Sequence, residues 1–469
     1  MTESKNISNG LYEALIRELS QKKWKEHDKF FSIRQISIKF SINSNTVLKV
    51  FQRLEKEGFL YNVKGKGCFI KKGYDLAVSE TMVPILNTFR FGQSSDNGQI
   101  NFASGAPPKD FFPYNDYKEI LSTILENEEF SKNLLGYQDI QGLESFRICI
   151  EKYLKRYFIS ASKENIIICS STQATLELIC SALGSNQKKT FLLSEPTYQN
   201  AMHLINKSCK IESIELKNDG WDMNELEKVL EKTKIHFIYI MTNFQNPTGI
   251  TWSLEKKKKL LELSQKFDFF IIEDDYLSDF YYGSSPVRSL KSLDRYDRVF
   301  YIKTFSKIVM PGIAITLFVP PKKFTNYLSL SKYLIDTTTS GINQKFLEIF
   351  IEKGLLEKHL ETLRENFKRK MEFMIGELLQ IEHLKILHIP KGGFFVWIEL
   401  ANYIDEEKFY YKCHIQGLSV LPGFIFYPNQ QASSKIRISV VNVNFQEIKK
   451  GVEIIKNILN NCDGVINRI

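Results

Sequence analysis

Residues 236–276 read HFIYIMTNFQNPTGITWSLEKKKKLLELSQKFDFFIIEDDY. The stretch opens on HFIYIMT, a short apolar run of strand length and β-favouring character. Asn246-Pro247-Thr248-Gly249 then turns the chain. SLEKKKKLLELSQKF follows as a helical pattern, with the Lys256–Lys259 run expected on its solvated face. A second apolar run, FFII, ends in Glu273, Asp274 and Asp275. Strand, turn, helix and strand make one β-α-β unit, and such units build parallel sheets.

The alternation continues on both sides. NIIIC precedes TLELICSAL, TFLLS precedes QNAMHLIN, and VFYIK lies downstream. Over this length it predicts an α/β fold with a mainly parallel central sheet. Ligands of such sheets sit at the carboxyl ends of the strands, so the residues after each strand matter most.

Five strand ends carry polar clusters. After NIIIC comes Ser170-Ser171-Thr172-Gln173, hydroxyl residues opening a helix whose free N–H groups can cradle a phosphate. After TFLLS comes Glu195-Pro196-Thr197-Tyr198, which can aim a ring into a cleft. After HFIYIMT comes the Asn246 turn, and after FFII the Glu273–Tyr276 cluster. After VFYIK comes Thr304-Phe305-Ser306-Lys307. Singly, each reads as ordinary caps, turns and exposed charge. Together they compose one chemistry. A lysine amine condenses with an aldehyde, and an aspartate keeps a pyridine nitrogen protonated. An aromatic ring stacks on the pyridine, Tyr and Asn bond its phenolic oxygen, and hydroxyls hold its phosphate. That set is what pyridoxal 5'-phosphate requires.

The charge is concentrated at the other end of the chain. The 469 residues carry 63 Lys and Arg against 54 Asp and Glu, a net of +9. Residues 1–73 hold 15 against 7, so +8 of the excess falls in the first sixth. Helical patterns over 8–22, 33–41 and 44–57, then strands FLYNV and CFIKK around KGKG, spell a winged helix-turn-helix. Val47, Val50, Phe51 and Leu54 form the inner face of the third helix, with Ser44 its expected N-cap and Gly58 its stop. Ser44, Asn45, Thr46, Lys49 and Arg53 then face outward, where they can meet base edges or phosphates. Arg34 opens the preceding helix, and Lys64 and Lys66 tip the wing, all placed for phosphate contact. Double-stranded DNA is the expected partner; a basic module that binds protein or only solvates itself is the bland alternative.

No run of 18 apolar residues occurs, so no membrane span is expected. Met1–Gly10 has no apolar core, so no secretory signal is expected. The seven cysteines are scattered, without CxxC or Cys/His spacing, and read as thiols of a reducing cytoplasm with no metal site. Residues 74–99 lack sustained periodicity and read as a linker between a module at 1–73 and a domain at 100–469.

The run SIRQISIKFSINSNTVLKVFQRLEKEGFLYNVKGKGCFIKKG resembles the DNA-binding domain of the GntR family of bacterial regulators, with Ile36 and Cys68 replacing that family's leucine and wing threonine. From about Ile100 onward, the order of motifs resembles fold-type I aminotransferases. That resemblance implies Lys307 as the Schiff-base lysine, Asp274 as partner of the pyridine nitrogen, and Tyr276 and Asn246 as partners of the phenolic oxygen. It implies Tyr198 as the stacking ring and Ser171, Thr172 and Thr304 as phosphate contacts. Tyr137, in YQDIQG, matches a tyrosine that reaches the cofactor phosphate of a partner subunit, which implies a homodimer. Arg437, in KIRISV, matches the arginine that clamps a substrate α-carboxylate. Joined, the two modules resemble the MocR-type branch of GntR regulators, whose second domain also opens like INFASGAPPKDFFP.

The implied function is transcription regulation, with Lys307 sensing pyridoxal phosphate or a small amine or amino-acid adduct, and at most partial transamination. A working aminotransferase with an accessory DNA-binding domain, and a cofactor-free dimerisation domain, stay open as alternatives. The chain departs from the branch at the phosphate. Ala314 stands where SK-x-x-x-PG-x-R has its arginine, Asn200 where some members carry another, and Ser171 where the cradle has glycine. These changes imply weakened cofactor affinity.

Overall fold

The computed structural model describes residues 27–71 and 99–463, apart from 41, 64, 185–188, 430 and 432, together with scattered residues between 8 and 24. In the first part, helices Ile33–Phe40 and Ser44–Lys56 precede a hairpin of β1 (Leu60–Val63) and β2 (Gly67–Ile70). Ser32 and Gln35 start the first helix as a capping box, each side chain accepting from the other's backbone N–H. Asn43, not Ser44, caps the second: its side chain accepts from the Asn45 N–H at 2.8 Å. Three successive residues there are of capping type, and the non-helical backbone of Asn43 decides which one caps. Gly58, at φ +85°, ends that helix in the left-handed conformation glycine adopts without strain.

Val47, Val50, Phe51 and Leu54 meet Leu11, Leu15, Ile36 and Leu60 in a small separate core. β1 and β2 pair antiparallel, with Leu60 opposite Ile70. The arrangement is consistent with a winged helix-turn-helix. The expected linker, 74–99, lies outside the described residues except for Gln99.

The chain re-enters at β3 (Ile100–Asn101) and then builds a seven-stranded sheet. Its strands are β4 (Ile167–Cys169), β5 (Thr190–Glu195), β6 (Lys210–Glu215), β7 (Phe237–Ile240), β8 (Phe270–Asp274), β9 (Val299–Thr304) and β10 (Thr316–Val319), in the order β4-β10-β9-β8-β7-β5-β6. β6, β5, β7, β8 and β9 run parallel, and β10 is antiparallel to β4 and β9. This is the mainly parallel α/β sheet that the alternation predicts. β4, β7, β9 and β10 are buried along their whole length, which is why their sequences are nearly continuous apolar runs.

The 24-residue helix Leu355–Leu378 then leads to a smaller antiparallel sheet. It comprises β11 (Leu384–Ile386), β12 (Phe395–Leu400), β14 (Leu421–Pro422) and β15 (Lys435–Ser439), in the order β11-β12-β15-β14. β13 (Leu418–Ser419) lies apart and pairs in parallel with β3. Among the described residues, no helix is long and apolar enough to cross a membrane.

Candidate functional site

Ser171, Thr172, Tyr198, Asn246, Asp274, Tyr276, Thr304, Lys307 and Arg437 line one cavity of about 250 Å³. Most follow strand ends of the large sheet; Arg437 comes from β15 of the small one. The site therefore lies between the two sheets.

Local structure explains each placement. Ser171 accepts from the Ala174 N–H, capping helix Thr172–Gly184 and turning that helix's free N–H end toward the cavity. Of the three successive acids, only Asp274 lines the cavity. Glu273, on the opposite face of β8, is held by the Thr242 hydroxyl and the Leu290 and Lys291 N–H groups. Asp275 accepts from the Tyr301 hydroxyl. The Asn246 turn is stitched to the Tyr198 loop, because Gln245 donates to the Pro196 carbonyl at 2.8 Å. Gly249, at φ +73°, closes that turn, and a Cβ there would press on Pro390 and the Phe395 carbonyl at 3.1 Å.

The cavity is polar, buried and under-satisfied. Asp274 Oδ2 accepts from the Tyr239 hydroxyl at 2.8 Å, while Oδ1 has no partner in the protein. The Tyr276 hydroxyl also lacks one. Burial raises Asp274 to about 7, against the hydrogen bond from Tyr239, and the neighbouring Asp275 and Glu273 add to the rise. Burial, then the charge of Arg437, lowers Lys307 to about 8. Burial lowers Arg437 to about 10, and it lies 4.1 Å over the Phe395 ring. Arg437 donates to the Asn246 side-chain oxygen at 2.9 Å and to the Ala103 carbonyl, leaving the Asn246 amide nitrogen as donor. The Tyr198 hydroxyl accepts from Gln173 and Asn200, each at 3.0 Å, which holds its ring in place.

These groups fit pyridoxal phosphate. Asp274 Oδ1 is a free acceptor for a ring N–H, and the Tyr276 hydroxyl and Asn246 amide are donors for a phenolic oxygen. Ser171, Thr172 and Thr304 supply hydroxyls for a phosphate. Among the described residues lining the cavity, Lys307 and Arg437 are the only cations. Ala314 is exposed, at φ +48° and ψ +48°, three residues after the lining Pro311.

Tyr137 is not brought to this cavity; it stands 86% exposed. In the first module, Arg34, Ser44, Asn45, Lys49 and Arg53 are exposed and Thr46 half-buried. Arg53 is engaged within the module, bonding Glu57 at 2.9 Å with its guanidinium 3.6 Å over the Tyr12 ring. Lys66 is exposed beside Gly65 and Gly67, and Lys64 lies outside the described residues.

Sequence reasoning missed several supporting groups. Tyr239 reads as a core residue of a buried strand, and Gln245 as filler in a turn. Gln173 and Ser306, both lining the cavity, sat inside quoted motifs without a role. Phe395 belongs to the small sheet, where no motif marked it.

A model of the family described as aminotransferase class I and II matches residues 97–455. Aromatic-amino-acid aminotransferase 1 of Thermococcus litoralis is 29% identical over 397 residues, covering 82% of this chain and 92% of its own. The HTH-type transcriptional regulator NorG of Staphylococcus aureus is 25% identical over 441 residues, covering 89% of this chain and 96% of its own. The crystal structure of a multiple substrate aminotransferase from Thermococcus profundus superposes with a TM-score of 0.75 at 26% identity, covering 82% of this chain and 96% of that one.

Proposed function

This chain belongs to the class I and II aminotransferase family, and from that premise we propose that it is a DNA-binding transcription regulator whose family domain binds pyridoxal phosphate and senses an amine or amino acid through Lys307. The observation that carries the reading is the convergence of Lys307, Asp274 and Tyr276 in one buried cavity, on a chain that also bears a basic helix-turn-helix module. A relative named as an HTH-type regulator matches over 89% of this chain, which supports the reading.

When bound, the cofactor supplies an aldehyde for condensation with an amine and a protonated ring that draws electrons. Asp274 would accept the ring N–H and keep it protonated. Tyr276 and Asn246 would donate to the phenolic oxygen. Tyr198, held by Gln173 and Asn200, would supply the stacking ring. Lys307 supplies an amine whose lowered pKa leaves part of it neutral and nucleophilic near pH 8. Arg437 pairs with an α-carboxylate. At the phosphate, Ser171, Thr172 and Thr304 would act with no cation besides Lys307 and Arg437 among the described residues lining the cavity, so a weak grip and an exchangeable cofactor are expected. DNA contacts come from Ser44, Asn45, Thr46 and Lys49 of helix Ser44–Lys56, with Arg34, Lys64 and Lys66 on phosphates.

The domain is homodimeric in this reading. Tyr137 and Leu334, each 86% exposed, and the exposed Leu135, Leu330 and Tyr333 lie in two segments that the Gln138–Thr338 hydrogen bond ties together. Exposed apolar side chains of this kind support an interface there.

Titration of the purified protein with pyridoxal phosphate, followed by visible absorbance, tests the cofactor. Fluorescence anisotropy on operator DNA, with and without candidate amines, tests the sensing. No spectral change, or DNA affinity indifferent to every amine, would refute the respective half. A working aminotransferase is the second reading, favoured by the intact Lys307, Asp274 and Arg437 set. Steady-state keto-acid production at enzymatic rates would select it.

A further inference from the structure

We propose that His359 is a positioning residue that fixes the turn carrying Lys307 to the helix joining the two sheets. His359 lies near the start of helix Leu355–Leu378, and its Nε2 is 3.0 Å from the Ile308 carbonyl oxygen. A carbonyl only accepts, so Nε2 carries the proton and donates. The turn itself is short: the Ile308 and Val309 N–H groups both bond the Phe305 carbonyl, and the Ser306 N–H bonds the Thr304 hydroxyl. The His359 bond is the turn's side-chain tether to this helix. Five residues on, Arg364 of the same helix donates to the Asp279 carbonyl at 2.7 Å. Asp279 follows closely on Asp274 and Tyr276. One helix therefore grips both the lysine turn and the segment holding the ring partners, and it runs on to pack against the C-terminal helix Phe445–Asp463. In the proposed reading, a shift of the small sheet, which supplies Arg437, would be felt at Lys307 through this helix. The consequence for sensing rests on the function proposed above; the positioning role does not.

The test compares the full wild-type chain with His359→Leu, His359→Gln and Arg364→Leu. Amide hydrogen exchange of the cofactor-free proteins reads the turn directly. In His359→Leu, amides of residues 305–310 should exchange about five- to tenfold faster, the loss of one hydrogen bond. His359→Gln should restore protection, because its amide can donate to the same carbonyl. Arg364→Leu should loosen residues 276–282 and leave 305–310 protected. Titration with pyridoxal phosphate should then show weaker binding and a displaced pH midpoint for His359→Leu, rescued by His359→Gln. Unchanged exchange at 305–310 in a folded His359→Leu, or equal loosening in both His359 variants, overturns the proposal. A wild type that takes up no pyridoxal phosphate refutes the proposed function instead, and the exchange comparison still decides the role of His359.

Discussion

Replacing Ala314 with arginine tests the reading of the phosphate end most directly. Ala314 already occupies the left-handed region, at φ +48° and ψ +48°. Its Cβ bears that strain now, so a longer side chain adds none at the backbone. The position is exposed, so the guanidinium displaces no packed neighbour. A charge-assisted pair with a phosphate contributes ~1.5–3 kcal/mol when well shielded. Exposure screens it toward the lower end. The expected gain is therefore about tenfold in pyridoxal phosphate affinity. Absorbance titrations at two salt concentrations measure it, with pyridoxal, which lacks the phosphate, as the control. The gain should appear for the phosphorylated form alone and shrink as salt rises. An equal gain for both vitamers, or no gain in a folded variant, would refute the claim that the missing arginine weakens this grip.

Further substitutions address the other groups. Lys307→Ala should abolish the visible absorbance of the cofactor-loaded protein and remove the response of DNA binding to amines, while DNA binding itself persists in anisotropy. Asp274→Asn should weaken cofactor binding yet stabilise the free protein above pH 7. Folding raises Asp274 from 3.8 to about 7, so the folded chain holds an extra proton between those values and loses stability as pH rises through them. The penalty, at most ~4 kcal/mol, is then complete above pH 7 and roughly a third present at pH 5, so urea unfolding should show a clearly larger advantage for the variant at pH 8 than at pH 5. Lys49→Ala should weaken binding to all DNA sequences alike and lower the salt slope by about 1, whereas Asn45→Ala should relax preference at one base position. Competition gel shifts separate the two.

The large sheet was legible because its strands are buried on both faces and read as apolar blocks, each followed by polar residues. The small sheet was not. Two of its four strands, β11 and β14, span only three and two residues, too short for any periodicity to register. The cavity's own residues were legible as motifs because their types are uncommon at strand ends. Their supports were hidden by long-range contacts: Tyr239 meets Asp274 from a neighbouring strand, and His359 meets Ile308 across 51 residues. Arg53 shows the same limit in the first module. Helical spacing places it outward, yet Glu57 and the distant Tyr12 hold it, so its availability for a phosphate depends on contacts that spacing does not reveal.

The two ends of the cavity pull cofactor affinity in opposite directions, and that opposition is what a reversible sensor needs. Asp274 is buried beside Asp275 and Glu273, carboxyl groups whose effect on it is repulsive. A protonated ring nitrogen is the counter-charge this carboxylate lacks, so binding there relieves a strain the fold itself creates. At the other end, in the proposed reading, hydroxyls and a helix N-terminus would meet the phosphate, with no cation besides Lys307 and Arg437 among the described residues lining the cavity, and neutral donors bind phosphate less strongly than arginine does. Strong ring recognition with a soft phosphate grip keeps selectivity for the pyridine while lowering total affinity. Occupancy then depends on how much cofactor is free in solution. An enzyme that turns over gains nothing from that dependence, whereas a regulator that reports the ligand requires it.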